Sequence, residues 1–223
     1  MNTTSDIIAS IREQGILPLF YHDEATVCIA IVNALYHAGI RVIEFTNRGP
    51  AALENFAALI QYRTLNWPGL LCGAGTIKTV ADARSFLGAG ADFLISPAFI
   101  TPIAEISQLE NFTWIPGCTT PTEIATAEQY GFTAIKLFPG NLLGPSFVSA
   151  IRDIFPGISF MPTGGVTQAP ENLKQWFSSG VFAVGLGSQL ISKDLLNEKN
   201  YSRIGEDTAN LLEVVRAIRN PSH

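Results

Sequence analysis

The chain has 223 residues, 47% of them hydrophobic and 15% charged, and a formal charge of −5. That much apolar material offsets the chain entropy lost on folding, which excludes an intrinsically disordered protein. The acidic balance excludes a nucleic-acid partner, which needs a basic stripe, but leaves room for a small anion at one local positive site.

Cys28, Cys72 and Cys118 are odd in number, lack CxxC spacing and sit among apolar neighbours. They read as small core residues rather than a disulfide or metal set. Residues 1–15 carry no basic region followed by an apolar run, so no signal peptide is expected. The longest early apolar run, Val27 to Val32, falls far short of the roughly 20 residues that span a bilayer. A soluble, cytoplasmic protein without a membrane partner is the expectation.

Eight short apolar runs read as buried strands: Ile16–Phe20, Arg41–Thr46, Leu70–Gly73, Asp92–Ser96, Thr113–Gly117, Thr133–Phe138, Ile158–Thr163 and Phe182–Leu186. They begin at intervals of roughly twenty to thirty residues, and each interval holds a segment with helical spacing. In the first, Val27, Ile31 and Leu35 form a stripe and Gly39 stands where a C-cap belongs. The last helix is predicted over Tyr201–Arg219, with Ile204, Leu211, Val215 and Ile218 on one face. Strands apolar on both faces that alternate with helices imply a parallel sheet covered by helices. Eight such units predict an α/β fold, a (β/α)8 TIM barrel with an extra N-terminal helix, as one domain over residues 1–223. The rival, an open doubly wound sheet, lacks a GxGxxG after the first strand. In a barrel the chemistry sits where the strands end.

Strand one ends at Tyr21-His22, and His22 is the one histidine near that face. In strand two, alternation turns Ile43 and Phe45 toward the helices and Val42, Glu44 and Thr46 toward the axis. A carboxylate there needs a partner or a role: a structural ion pair, with Arg48 for example, or a general acid/base. Strand three supplies the corner Gly73-Ala74-Gly75-Thr76, after which Lys78 is expected to begin a helix. Strands four and five end at Ser96-Pro97 and Pro116–Thr120, which alone would pass for plain turns.

In strand six, Lys136 shares a face with Ala134 and Phe138, opposite Ile135 and Leu137. A lysine confined among apolar groups is either salt-bridged or, with part of its population neutral, a nucleophile for a carbonyl carbon. Strands seven and eight end in Thr163-Gly164-Gly165 and Gly185-Leu186-Gly187-Ser188. Glycine turns in these places, with a helix expected to start near Ser188, suit a phosphate. Only His22 and Glu44 converge there as metal-ligand types, so no metal site is expected.

In order along the chain, Glu44-Phe-Thr-Asn-Arg48, Gly73-Ala-Gly-Thr76, Ile95-Ser-Pro97, Ile115-Pro-Gly117, Lys136-Leu-Phe-Pro139, Pro162-Thr-Gly-Gly165 and Val184-Gly-Leu-Gly-Ser188 form a recognisable set. The sequence resembles the class I 2-keto-3-deoxy-6-phosphogluconate / 4-hydroxy-2-oxoglutarate aldolase family over nearly its whole length. The resemblance implies that Lys136 forms a Schiff base with a 2-oxo acid and that Glu44 moves protons through a water. It implies that Arg48 and Thr76 hold the pyruvate carboxylate and that Pro97 and Phe138 shape the pyruvate pocket. Thr163, Gly164, Gly165 and Ser188 would line the far end. A small-molecule 2-oxo acid partner, no metal or cofactor, and a homotrimer are implied as well. Products would be pyruvate and an aldehyde such as glyceraldehyde 3-phosphate or glyoxylate. Tyr21-His22 stands where many relatives carry an Arg that helps bind the distal anion, and Asn47 and Gly140 also depart from the commoner residues. Two other functions fit the same motifs: a phosphate-binding barrel isomerase or epimerase with Glu44 as base, and a non-catalytic barrel that binds a sugar acid.

Overall fold

The computed structural model describes residues 3–220. Helix α1 (Thr4–Gln14) opens with a capping box: the Thr3 hydroxyl accepts the Asp6 amide, and the Asp6 carboxylate accepts the Thr3 amide. It stops at Gly15, whose φ of 76° suits a residue without a Cβ. Then strands alternate with helices: β1 (Ile16–Phe20), α2 (Ala25–His37), β2 (Val42–Thr46), α3 (Ala52–Asn66), β3 (Leu71–Gly75), α4 (Val80–Gly88), β4 (Phe93–Ile95) and α5 (Thr101–Leu109). β5 (Trp114–Ile115), β6 (Gly117–Cys118), α6 (Pro121–Gln129), β7 (Ala134–Leu137) and α7 (Gly140–Ile151) follow. The chain continues through β8 (Ser159–Pro162), α8 (Pro170–Ser178), β9 (Val184–Leu186), α9 (Lys193–Asn197) and α10 (Tyr201–Arg219).

The architecture is α/β. Six parallel strands make a half-barrel in the order β5-β4-β3-β2-β1-β9, and β6-β7-β8 make a second parallel sheet. The fifth apolar run, expected as one strand, is two short ones split at Pro116, which has no N–H to give to a ladder. Its carbonyl still serves, accepting the Lys136 amide at 2.8 Å.

Two cores follow from the pleat. Ile43 and Phe45 of β2, and Ile135 and Leu137 of β7, pack in the larger core, where the apolar stripes of the helices lie. Their alternates Val42 and Ala134 turn to the other face, with Leu17, Phe93, Ile95, Ile115 and Met161. Ile7 and Ile11 of α1 join this second cluster, each essentially unexposed. α1 therefore covers the end of the strands opposite the motif-bearing ends. Burying each isoleucine contributes on the order of 1.5–3 kcal/mol.

Candidate active site

The inward face of β2 carries Val42 and then Glu44, and that of β7 carries Ala134 and then Lys136. In both strands the change from apolar to charged takes one pleat. Glu44 is 0% exposed and Lys136 3%, and the lysine Nζ lies 3.2 Å from Oε1 and 3.4 Å from Oε2 of the glutamate. Arg48, the sequence-based candidate for the partner of Glu44, makes no ion pair among the described residues. It lies exposed beyond the end of β2, where the strand direction has already carried it past the carboxylate.

Register and small residues make room for this pair. Glu44 sits between Leu19 of β1 and Gly73 of β3, and Lys136 between Gly117 of β6 and Met161 of β8. A Cβ at Gly75 would lie 1.9 Å from Glu44 Oε1, so no larger residue fits there without moving the carboxylate. The Phe138 ring stands 5.6 Å from Lys136 Nζ and presents its π face to the amine. Losing either member of a buried pair leaves the other charge unpaired, whereas an apolar replacement of both is often neutral or stabilising. A pair kept in such a place argues for chemistry rather than for stability.

The remaining sequence-predicted residues lie at the same ends of the strands. Thr76 turns the corner after β3 with φ at 61°, a left-handed conformation uncommon for a β-branched residue. Pro97 follows β4, and its carbonyl carbon lies 2.3 Å from where a Cβ of Gly117 would be, so the turn after β4 and strand β6 meet closely. Thr163 is 6% exposed, and its Oγ1 has no partner among the described residues. That hydroxyl lies 2.3 Å from the Cβ position of Gly185, with which Thr163 forms a parallel bridge. Gly164 and Gly165 have φ of 93° and 73° and press against Asn141 at the start of α7. Asn141 is a neighbour that sequence reasoning missed, since nothing local ties it to a turn more than twenty residues later.

Ser188 is exposed in a turn, and no helix starts there. The amides of Leu190 and Ile191 both return to the Gly187 carbonyl, and α9 begins only at Lys193, capped by Ser192. The expected helix end is thus displaced along the chain. Lys78 likewise precedes its helix, because Thr79 caps α4 at Val80. His22 accepts the Glu24 amide on Nδ1 at 3.0 Å.

A buried lysine against a buried glutamate at the strand ends can shift one proton between amine and carboxylate without changing the net charge. The family model described as KDPG and KHG aldolase matches residues 7–206. The chain belongs to this family.

Membership makes the protein a class I aldolase, a carbon–carbon lyase. A 2-dehydro-3-deoxy-phosphogluconate aldolase of Haemophilus influenzae is 29% identical over 216 residues, 96% of this chain and 99% of that protein. A 2-dehydro-3-deoxy-6-phosphogalactonate aldolase of Escherichia coli K12 is 32% identical, covering 84% of this chain and 85% of its own length. Among solved structures, KDPG aldolase from Legionella pneumophila, with pyruvate captured as a covalent carbinolamine intermediate, superposes with a TM-score of 0.84 at 26% identity. That match covers 94% of this chain and 98% of the other. Among the described residues, no helix is long and apolar enough to cross a membrane, and no three His, Cys, Asp or Glu side chains gather as a metal site would.

Proposed function

We propose that this aldolase cleaves a 4-hydroxy-2-oxo acid, such as 2-keto-3-deoxy-6-phosphogluconate or 4-hydroxy-2-oxoglutarate, with Lys136 as nucleophile and Glu44 as acid/base. The products are pyruvate and the corresponding aldehyde, glyceraldehyde 3-phosphate or glyoxylate. The observation that carries the reading is the buried Nζ–Oε1 separation of 3.2 Å. A proton passed from the ammonium to the carboxylate leaves a neutral amine and a loaded acid in one step. The amine adds to the C2 carbonyl to give a carbinolamine, and Glu44 returns a proton to its hydroxyl, which leaves as water. The resulting iminium draws the C3–C4 bonding pair as the C4 hydroxyl proton passes to Glu44, releasing the aldehyde and leaving an enamine. Protonation at C3 and attack of water at C2 then free pyruvate and the lysine. The iminium is itself the electron sink, so the sequence of steps calls for no metal or cofactor.

In this reading Arg48 and Thr76 hold the substrate carboxylate, Pro97 and Phe138 flank the pyruvyl carbons, and Thr163, Gly164, Gly165 and Ser188 face the distal group. The unpartnered Thr163 hydroxyl supports a polar ligand at that end. We further propose that residues 1–223 form one domain, that the two sheets close into a (β/α)8 barrel plugged by α1, and that the protein works as a cytoplasmic homotrimer. Closure is supported by the Pro116 link between β5 and β7, the Thr163–Gly185 bridge, and an inner cluster drawn from both sheets.

Borohydride with pyruvate is expected to fix one adduct on the peptide bearing Lys136, and Lys136→Met to lose both the adduct and pyruvate release. Turnover retained in that variant would refute the assignment. Assays across phosphorylated and unphosphorylated 4-hydroxy-2-oxo acids identify the distal group.

A further inference from the structure

Tyr21, just after β1, makes contacts that neither a pocket lining nor a plain turn requires. Its ring meets Phe45 edge-on at 5.9 Å. Its hydroxyl donates to the Asp23 carboxylate. The ring and hydroxyl also occupy the space above Gly49, where an added Cβ would lie 2.1 Å from Oη. From the other side, Asn55 of α3 is 5% exposed and gives both amide hydrogens to the first loop, to the carbonyls of His22 at 3.0 Å and Asp23 at 2.8 Å. Cys28 Sγ donates to the same His22 carbonyl. The loop after β1 thus packs against Gly49 of the loop after β2 and is bonded to Asn55 of α3.

Arg48 lies on the second of these loops, immediately before Gly49. Its side chain is exposed and has no ion-pair partner among the described residues. The reach of its guanidinium is therefore limited by where its backbone lies, and that backbone is tied down by the Asn47 and Arg48 amide bonds on one side and by the Tyr21 ring packed on Gly49 on the other.

We infer that Tyr21, backed by Asp23, is a positioning residue that holds the Arg48–Ala51 loop in the orientation needed to receive the carboxylate of the 2-oxo acid. This rests on the proposed role of Arg48. It concerns ground-state binding of the pyruvyl end, since the clasp touches neither Lys136 nor the C3–C4 bond. Removing the phenolic oxygen costs the hydrogen bond to Asp23 that fixes the ring over Gly49, while the ring itself remains.

The test is steady-state kinetics and borohydride trapping with pyruvate as probe, on wild type, Tyr21→Phe, Asp23→Ala and Asp23→Asn. Tyr21→Phe and Asp23→Ala are expected to raise KM for the 2-oxo acid about five- to tenfold, with kcat within about twofold of wild type. The pyruvate concentration that half-saturates trapping should rise by the same factor. Asp23→Asn keeps an acceptor oxygen and should restore most of the binding. The double variant Tyr21→Phe/Asp23→Ala should be no worse than either single change, because both cut one link. A lowered melting temperature with KM and half-saturation unchanged would overturn the inference and leave a purely structural clasp. If wild type forms no trapped adduct at any pyruvate concentration, it is the Schiff-base reading that fails instead.

Discussion

The inward face of the strands has two levels built on opposite logic. At the base, Leu17, Val42 and Ala134 join Ile7 and Ile11 of α1 in one apolar cluster, and the space is filled by hydrocarbon alone. One pleat further along the same strands, about 7 Å away, Glu44 and Lys136 face each other in a space that the absent Cβ at Gly75 keeps clear. The base is what makes the mouth possible. A dry, close-packed floor excludes water from below, so each charge has only the other as its partner. Stability and chemistry are thereby assigned to neighbouring layers of one surface.

If that division is correct, substitutions in the two layers should have separable effects. Gly75→Ala places a methyl where Glu44 Oε1 now lies, and displacing the proposed acid/base should lower kcat/KM roughly 100-fold or more. The overpacked site should cost only about 1–3 kcal/mol of stability, and a loss of stability with activity preserved would contradict the division. Ile11→Ala acts on the other layer. It should cost about 2–4 kcal/mol of stability, as truncation of a fully buried side chain does, with kcat/KM within about twofold at temperatures where the variant stays folded. A catalytic defect there would mean that the base shapes the mouth directly.

The smallest effect comes from outside both layers. Burial pushes the thiols of Cys28, Cys72 and Cys118 from 9.0 up to about 12. An unfolded thiol ionises from about pH 9 while the native one keeps its proton, so the unfolded state binds fewer protons in that window. The thiol contribution to stability is thus full below pH 9 and lost as pH rises toward 12. The urea midpoint should fall between pH 8.5 and pH 10.5, the range an experiment can reach, by less in a variant with the three cysteines replaced by alanine or valine. All three thiols should resist alkylation at about pH 8 until the chain unfolds. Rapid labelling of the native protein would contradict their burial.

How much of this was legible in the sequence depended on whether the signal was local. Lys136 and Glu44 stand out because a charge inside an otherwise apolar strand violates the pattern around it, and parity with Ala134 and Val42 told which way they face. The limits of α10 at Tyr201 and Arg219 were readable because a long apolar stripe ends where polar residues begin. The glycines before Ser188 resemble those that precede a helix, whereas the amides after it fold back onto Gly187. Pro116 was passed over inside a strand although its missing donor breaks the ladder. The clasp through Tyr21, Asp23, Gly49 and Asn55 leaves no trace, since it joins distant segments by contacts that no periodicity encodes.

The amino-acid sequence by itself determined which side chains face inward, because the direction of a side chain follows from the two-residue pleat of its own strand. Only the tertiary structure decided that Glu44 meets Lys136, 92 positions away, rather than Arg48, four positions on. That choice depends on where parallel strands end up in the sheets and on the room their glycines leave, and both arise only when distant segments pack.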